Sequence, residues 1–401
     1  MNKYNIKNTN QVSIATCQSV IKIYSNFIEN MEEDKVILSV SNLTVPFDTP
    51  DPFIFCVYHN DKFPAGNERM EAPRKGNGSD FSAKDGYSMY HGEKIPGFPQ
   101  HPHRGFETIT CAMKGIVDHA DSLGNAGRYG NGDLQWMTAG RGVVHGEMFP
   151  LIHQDKPNTL KLYQIWLNLP MKSKMTKPDF KMHWAEDIPK VISEISDLPS
   201  NTINYKINIW AGEFDGKKAL EPPSNSWAAD PQNFVLILGI ELYSHKGEDV
   251  VIPGVEISFG RSRDSPTKNE INRVLYYVDG PSGIVLNGTN VFNNKCAIKL
   301  DATKEVRISK FKESKNNESN DSKSIEPVIC LLLQGRPINE KIIKHGPFVM
   351  NSSEEIQDAF QNYQETKFGG WPWAENGVVF PRDKGRFARI GGIECKERQI
   401  L

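Results

Sequence analysis

The chain has 401 residues, 24% of them charged, with a formal net charge of -2. At one domain per roughly 100 to 200 residues, that length predicts two domains. The balanced charge excludes a global basic field able to hold nucleic acid phosphates, so no direct nucleic acid binding is expected.

Taken in chain order, the opening MNKYNIKNTNQ is polar and lacks an apolar run and a small-residue cleavage site, which argues against a standard secretory signal. Strand-like runs follow at Lys35–Val40, Phe53–Tyr58, Thr108–Ala112, Leu160–Leu167, Ile203–Trp210, Asn233–Leu238, Val274–Val278 and Val328–Leu333. They are short, rich in β-branched and aromatic residues, and separated by Gly, Pro, Asn and Asp clusters, so an all-β antiparallel sandwich or barrel is expected. A polar insertion spans roughly Asp61 to Asp85, and Pro, Lys and Asp accumulate between Pro170 and Pro199, where the domain connection is placed. Residues 312–324, KESKNNESNDSKS, offer no apolar anchor and read as a surface loop. Ser352-Ser-Glu-Glu355 has the capping-box pattern; Ile356, Ala359, Phe360 and Tyr363 then recur at helical spacing and Gly369 is placed to stop a helix that should pack on a sheet. The longest wholly aliphatic or thiol run, Val328–Leu333, is too short to cross a membrane. Six cysteines (Cys17, Cys56, Cys111, Cys296, Cys330, Cys395) without any CxxC suit reduced thiols in a cytoplasmic or nuclear setting, and the sequons at Asn42, Asn77 and Asn287 are read as chance.

Six of the ten histidines fall between His91 and His153. His101 and His103 are two apart in GFPQHPHRGFET, as are His145 and Glu147 in GRGVVHGEM. Positions i and i+2 of a strand share a face, so on neighbouring antiparallel strands these four donors would converge. Pro102 cannot donate to a ladder, which marks its stretch as an edge, a bulge or a strand start. Three imidazoles and one carboxylate, with no thiolate, suit Fe, Mn, Ni, Cu or Zn with positions left open for water, dioxygen or a bidentate ligand. A divalent ion there would carry a net charge of about +1 and favour an anionic enolate or catecholate. The competing reading is a set of hydrogen-bonded core histidines, and spacing alone does not choose between them. Glu107 could be a fifth ligand, an acceptor behind an imidazole, or a plain strand residue; Arg104 could pair a carboxylate, steer an anion, or lie on the surface. Trp136 and Met137 read as core, and His91, His119 and His153 lack a partner at ligand spacing.

HPHRGFET at 101–108, GDLQWMTAGRGVVHGEM at 132–148 and HGPFVMN at 345–351 closely resemble the pirin family of bicupins, supported by DPF at 51–53, YQIWLNLP at 163–170 and AGEFDG at 211–216. The resemblance implies two tandem cupin (jelly-roll) β-barrels, an N-terminal one over 35–185 and a C-terminal one over 200–370, followed by an extended tail over 371–401. It also implies one non-haem Fe(II)/Fe(III) ion in the first barrel, on His101, His103, His145 and Glu147, with Glu107 supporting rather than ligating. The second barrel, with only His245 and His345, would be metal-free. Two activities attach to the resemblance: dioxygenation of flavonols such as quercetin, with ring opening and carbon monoxide release, and iron-dependent redox regulation of transcription through nuclear protein partners. The first implies dioxygen and a small aromatic or enolic substrate, with Glu107 and Arg104 as auxiliaries to the four ligands. A monomer without membrane contact is expected.

Overall fold

In the computed structural model, which describes residues 35–72, 81–195, 203–243, 249–255, 270–311, 326–395 and 398–399, the strand Phe106–Lys114 shows how the sequence builds the architecture. Its side chains alternate: Ala112 joins Val117, Tyr129 and Leu162 inside one barrel. Ile109 and Cys111 point the other way, onto Trp210, Ile237 and Leu331 of a second barrel. Both faces are therefore buried, and the run reads as nearly continuous burial.

The first barrel is made of two antiparallel sheets. One carries Asp179–His183, Asp133–Thr138, Phe106–Lys114, Asn158–Asn168 and Phe53–Phe63 in that order. The other carries Ile393–Glu394, Phe387–Ile390, Ala126–Gly130, Ile116–Asp121, Val143–Met148 and, at its edge, Gly97–His103. The second barrel pairs a seven-stranded sheet with a four-stranded one around Ile207, Leu238, Ile240, Leu275, Ile298, Ile308 and Leu332. Between the barrels, Trp136, Tyr163 and Ile165 meet Trp210, Val274, Tyr276 and Leu333 in a single apolar layer. At ~1.5–3 kcal/mol for each large side chain buried, that layer strongly opposes relative motion of the barrels.

The terminal segments depart from sequence order. Ile37–Asn42, assigned by sequence to the first barrel, pairs with Cys296–Asp301 at the edge of the second barrel's large sheet. Phe387–Ile390, expected as part of an extended tail, pairs with Ala126–Gly130 in the first. Buried Arg128 explains the second crossing: it makes a two-pronged pair with Asp118 at 2.7 Å and donates to the carbonyls of Phe380, Pro381 and Lys384. In the connecting region, Asp179–His183 still belongs to the first barrel and Lys190–Glu194 to the second, so the crossing lies between them.

The strand expected from Asn233 begins instead at Leu236, because Pro231–Asn233 forms a 3-10 turn capped by Asp230. The strand from Phe53 runs on to Phe63, into the stretch read as insertion. The helix Ser353–Thr366 has the expected capping box, with Glu355 N donating to Ser352 Oγ at 3.1 Å and Ser352 N to Glu355 Oε2 at 2.9 Å. It packs Ile356 and Ala359 against Val144, Phe348 and Met350. Its end comes two residues before Gly369, at left-handed Lys367 and Phe368. The loop expected at 312–324, Cys17 and His245 lie outside the described residues.

Candidate metal centre and its cavity

Gly97–His103 and Val143–Met148 are antiparallel neighbours in which His101 faces His145, Pro102 faces Val144 and His103 faces Val143. Pro102 sits on the edge strand, where a missing N–H is tolerated. The ring centroids of His101, His103 and His145 lie 4.5–4.9 Å apart, and their candidate ligand nitrogens all fall within 4.8 Å of one another. Among the described residues no other set of three His, Cys or carboxylate side chains converges in this way.

His101 Nδ1 donates to the Pro99 carbonyl at 2.9 Å, which fixes the tautomer and leaves Nε2 as the lone-pair nitrogen. His103 Nδ1 and both nitrogens of His145 are buried without a hydrogen-bond partner. Orphaned buried imidazole nitrogens are costly unless something else binds them, so the donor set fits a metal ion. Burial pushes all three imidazoles below the ordinary histidine range, most strongly at His103 and His145, where neighbouring imidazoles add to the effect. Neutral rings keep their lone pairs for coordination.

Glu147, two residues beyond His145, accepts from Tyr129 Oη at 3.0 Å on Oε1 and from Gln164 Nε2 at 3.2 Å on Oε2, and the single proton of the Thr110 hydroxyl serves Glu147 Oε1 at 2.9 Å or Gln164 Oε1 at 2.5 Å. These contacts orient the carboxylate, which lies outside the set of three imidazoles whose candidate ligand atoms fall within 4.8 Å of one another. Thr110, Tyr129 and Gln164 escaped the sequence reading; the i, i+2 pairing of Thr108 with Thr110 was the available signal. His119 was missed too: its ring lies 5.4 Å from that of His145, and its Nδ1 accepts from Gln135 Nε2 at 3.0 Å.

Glu107 and Arg104 are not at this site. Arg104–Gly105 forms a turn in which Gly105 adopts φ +87, and an added Cβ would meet the Val349 carbonyl oxygen at 2.0 Å. The turn resets the strand's parity, so Phe106, Thr108 and Thr110 follow His103 on the inner side while Glu107 faces the second barrel. There Glu107 accepts from Thr138 Oγ1 at 2.6 Å and from Ser226 Oγ at 2.5 Å. Arg104 turns to the C-terminal helix, donating to the Arg141 carbonyl at 2.7 Å and to Asn362 Oδ1 at 2.5 Å, with its guanidinium 4.4 Å from the Phe368 ring centre. Gly142 makes room for that ring: a Cβ there would stand 2.8 Å from it.

His101, His103 and Glu147 open onto a cavity of about 1090 Å³ walled by Phe55, Tyr90, Phe98, Phe149 and Trp166. Trp166 stands 5.4 Å from His103 and Phe98 6.3 Å from His101, centre to centre. His91 lines the same cavity, whereas His153 lies in a separate cleft. His345 is exposed on a strand beside the C-terminal helix.

Two cupin barrels, one of them bearing a three-histidine cluster beside a buried glutamate, define a bicupin. Residues 51–167 match the Pirin family and residues 254–369 the Pirin C-terminal cupin domain. A pirin-like protein of Solanum lycopersicum is 32% identical over 273 residues, covering 68% of this chain and 77% of that one. The chain belongs to the pirin family. A Pseudomonas aeruginosa protein provisionally named as a quercetin 2,3-dioxygenase is 29% identical over 276 residues, covering 68% of this chain and 80% of that one. The crystal structure of quercetin 2,3-dioxygenase from Acinetobacter baumannii is similar at a TM-score of 0.58 and 25% identity, covering 84% of this chain and 99% of that one. No helix among the described residues is long and apolar enough to cross a membrane.

Proposed function

We propose that this chain is a metal-dependent dioxygenase acting on flavonols or related enolic aromatics, with His101, His103, His145 and Glu147 holding one metal ion, iron in the first instance. The observation that carries the reading is the convergence of three neutral imidazoles, with His103 Nδ1 and both His145 nitrogens left without partners, beside a large aromatic cavity that His101 and His103 line. The names of the Pseudomonas and Acinetobacter relatives support the substrate class.

A metal ion on these ligands would supply a Lewis-acidic, redox-capable centre with open positions for further ligands. The surrounding chain does the rest. Thr110, Tyr129 and Gln164 fix the Glu147 carboxylate, and Pro99 fixes the His101 ring. Phe98 and Trp166 offer flat apolar surfaces between which a planar ligand is oriented and water is excluded.

The test is elemental analysis of the purified protein, anaerobic Fe(II) loading, and measurement of oxygen uptake and carbon monoxide release with quercetin. About one metal per chain and gas exchange that disappears in Glu147→Ala, with the circular dichroism spectrum unchanged, are expected. Turnover that survives in Glu147→Ala sinks the ligand assignment. Stoichiometric metal without turnover over a flavonol and catechol panel sinks the enzyme reading.

A further inference from the structure

At the end of the cavity away from the metal ligands, His59, Tyr90 and Asp61 form a hydrogen-bonded chain. The Tyr90 hydroxyl donates to Asp61 Oδ2 at 2.7 Å and lies 2.6 Å from His59 Nδ1. Asp61 accepts a second bond from the Ser88 amide at 2.8 Å. Since the Tyr90 proton is committed to Asp61, the His59 contact must be Nδ1–H donating to the tyrosine oxygen. That assigns the neutral tautomer and leaves the lone pair on His59 Nε2. Burial, which lowers the His59 pKa to about 4, keeps the ring in this acceptor form.

Two features make this more than a satisfied core histidine. Tyr90 holds φ +57, a left-handed conformation that a bulky side chain adopts only under constraint. Asp61 lies near the end of the strand Phe53–Phe63 and Ser88 beyond Asp85, so the bonds that set the Tyr90 hydroxyl join the two sides of the polar insertion. All of these residues line the cavity that contains His101, His103 and Glu147. Phe98 lies between the two ends, 6.3 Å from the His59 ring and 6.3 Å from that of His101, and it stacks on Tyr90 at 4.9 Å.

We propose that His59, held by Tyr90 and Asp61, is a second ligand-recognition point of this cavity, accepting a hydrogen bond from a hydroxyl at the far end of a planar aromatic whose other end lies at the metal ligands. The ligand class is thereby narrowed to flat aromatics that carry hydroxyl groups at both ends. His59 touches the ligand; Tyr90 and Asp61 are positioning residues that set its tautomer and direction. The proposal rests on the reading of the cavity as a site for hydroxylated aromatics.

Full-length protein, as purified and kept anaerobic, is titrated with quercetin and with the flavonol lacking hydroxyls on the pendant ring, following tryptophan quenching. Wild type should prefer quercetin by about tenfold, the factor equivalent to ~1.4 kcal/mol, within reach of one hydrogen bond. His59→Phe should bind both flavonols alike, at the affinity of the deoxy compound. Tyr90→Phe, which keeps the ring and its packing, should weaken quercetin alone; a purely structural role would weaken both. A preference retained in His59→Phe overturns the proposal, as does a wild type without preference. If oxygen uptake is absent while the preference and its loss in His59→Phe hold, the dioxygenase reading fails and the recognition point is upheld.

Discussion

Replacing Glu107 by glutamine tests the placement of that carboxyl between the barrels and not at the metal ligands. Glu107 is wholly buried, and burial pushes its pKa from 4.5 up to about 7; the bonds from Ser226 and Thr138 pull it down in part, and Asp179 pushes it further up. The sign follows from linkage. Below pH about 4.5 both folded and unfolded states carry the proton; as pH rises toward about 7 the unfolded chain releases it and the folded chain keeps it, so stability falls through that window and levels off above it. At 1.36 kcal/mol per pKa unit, the loss between about pH 5 and about pH 8 is ~2–3 kcal/mol. A glutamine side chain does not titrate, and its amide can still meet the two hydroxyls, so Glu107→Gln should be the more stable protein at about pH 8 relative to its standing at about pH 5 by that difference. Urea unfolding by tryptophan fluorescence at the two pH values reads it directly. Equal pH slopes in the two proteins would refute the buried-carboxyl argument, and loss of bound metal in Glu107→Gln would show that Glu107 belongs to the metal site after all.

Arg104→Met keeps an apolar stem over Phe368 but removes the bonds to Arg141 and Asn362, so it should lower stability by ~2–4 kcal/mol and speed proteolysis near the C-terminal helix while leaving KM for a flavonol unchanged; a raised KM would return Arg104 to the site. Lys174 is buried, with Nζ donating to the carbonyls of Gly105 and Val349 and to Asn168 Oδ1, and burial lowers its pKa from 10.5 to about 8. Between those values the unfolded chain holds the proton that the folded chain has released, so wild-type stability should rise across that window by ~3 kcal/mol, a rise missing in Lys174→Met. Stability measured by denaturation at about pH 8 and about pH 10 should capture ~2 kcal/mol of that rise.

The all-β character, the capped helix and the His101/His103/His145 convergence could be read from the sequence because each rests on local periodicity: two residues per strand repeat, 3.6 per helical turn. Glu107 could not, because the parity count from His103 passes through the turn at Arg104–Gly105 and emerges on the other face. The interface between barrels was hidden for a different reason. In Thr108-Ile-Thr-Cys-Ala112 the side chains of Thr110 and Ala112 lie inside the first barrel, Thr110 against Glu147, while Ile109 and Cys111 point out to Trp210 and Leu331, the reverse of an ordinary solvated sheet. Ile116–Asp121 and Ala126–Gly130 went unrecognised as strands because Asp118, His119 and Arg128 interrupt the apolar run: Asp118 and Arg128 pair with each other across the two strands, Arg128 also reaches the Phe380 carbonyl in the tail, and His119 meets Gln135. Pairing of Phe387–Ile390 with the first barrel has no local signature at all.

That last pairing bears on the order in which the molecule can be completed during synthesis. Residues 53–183 leave the ribosome early, yet the sheet that carries His101, His103, His145 and Glu147 waits for Phe387–Ile390 before its far edge is filled, and Arg128 waits for the carbonyls of 380–384. The strand Ile37–Asn42, made earlier still, idles until Cys296–Asp301 exists to receive it. Neither barrel therefore has its full set of strands until residues distant in sequence have been made. The sheet that carries His101, His103 and His145 is begun early and gains its last strands late, so the edge at Ala126–Gly130 stays unpaired through most of synthesis.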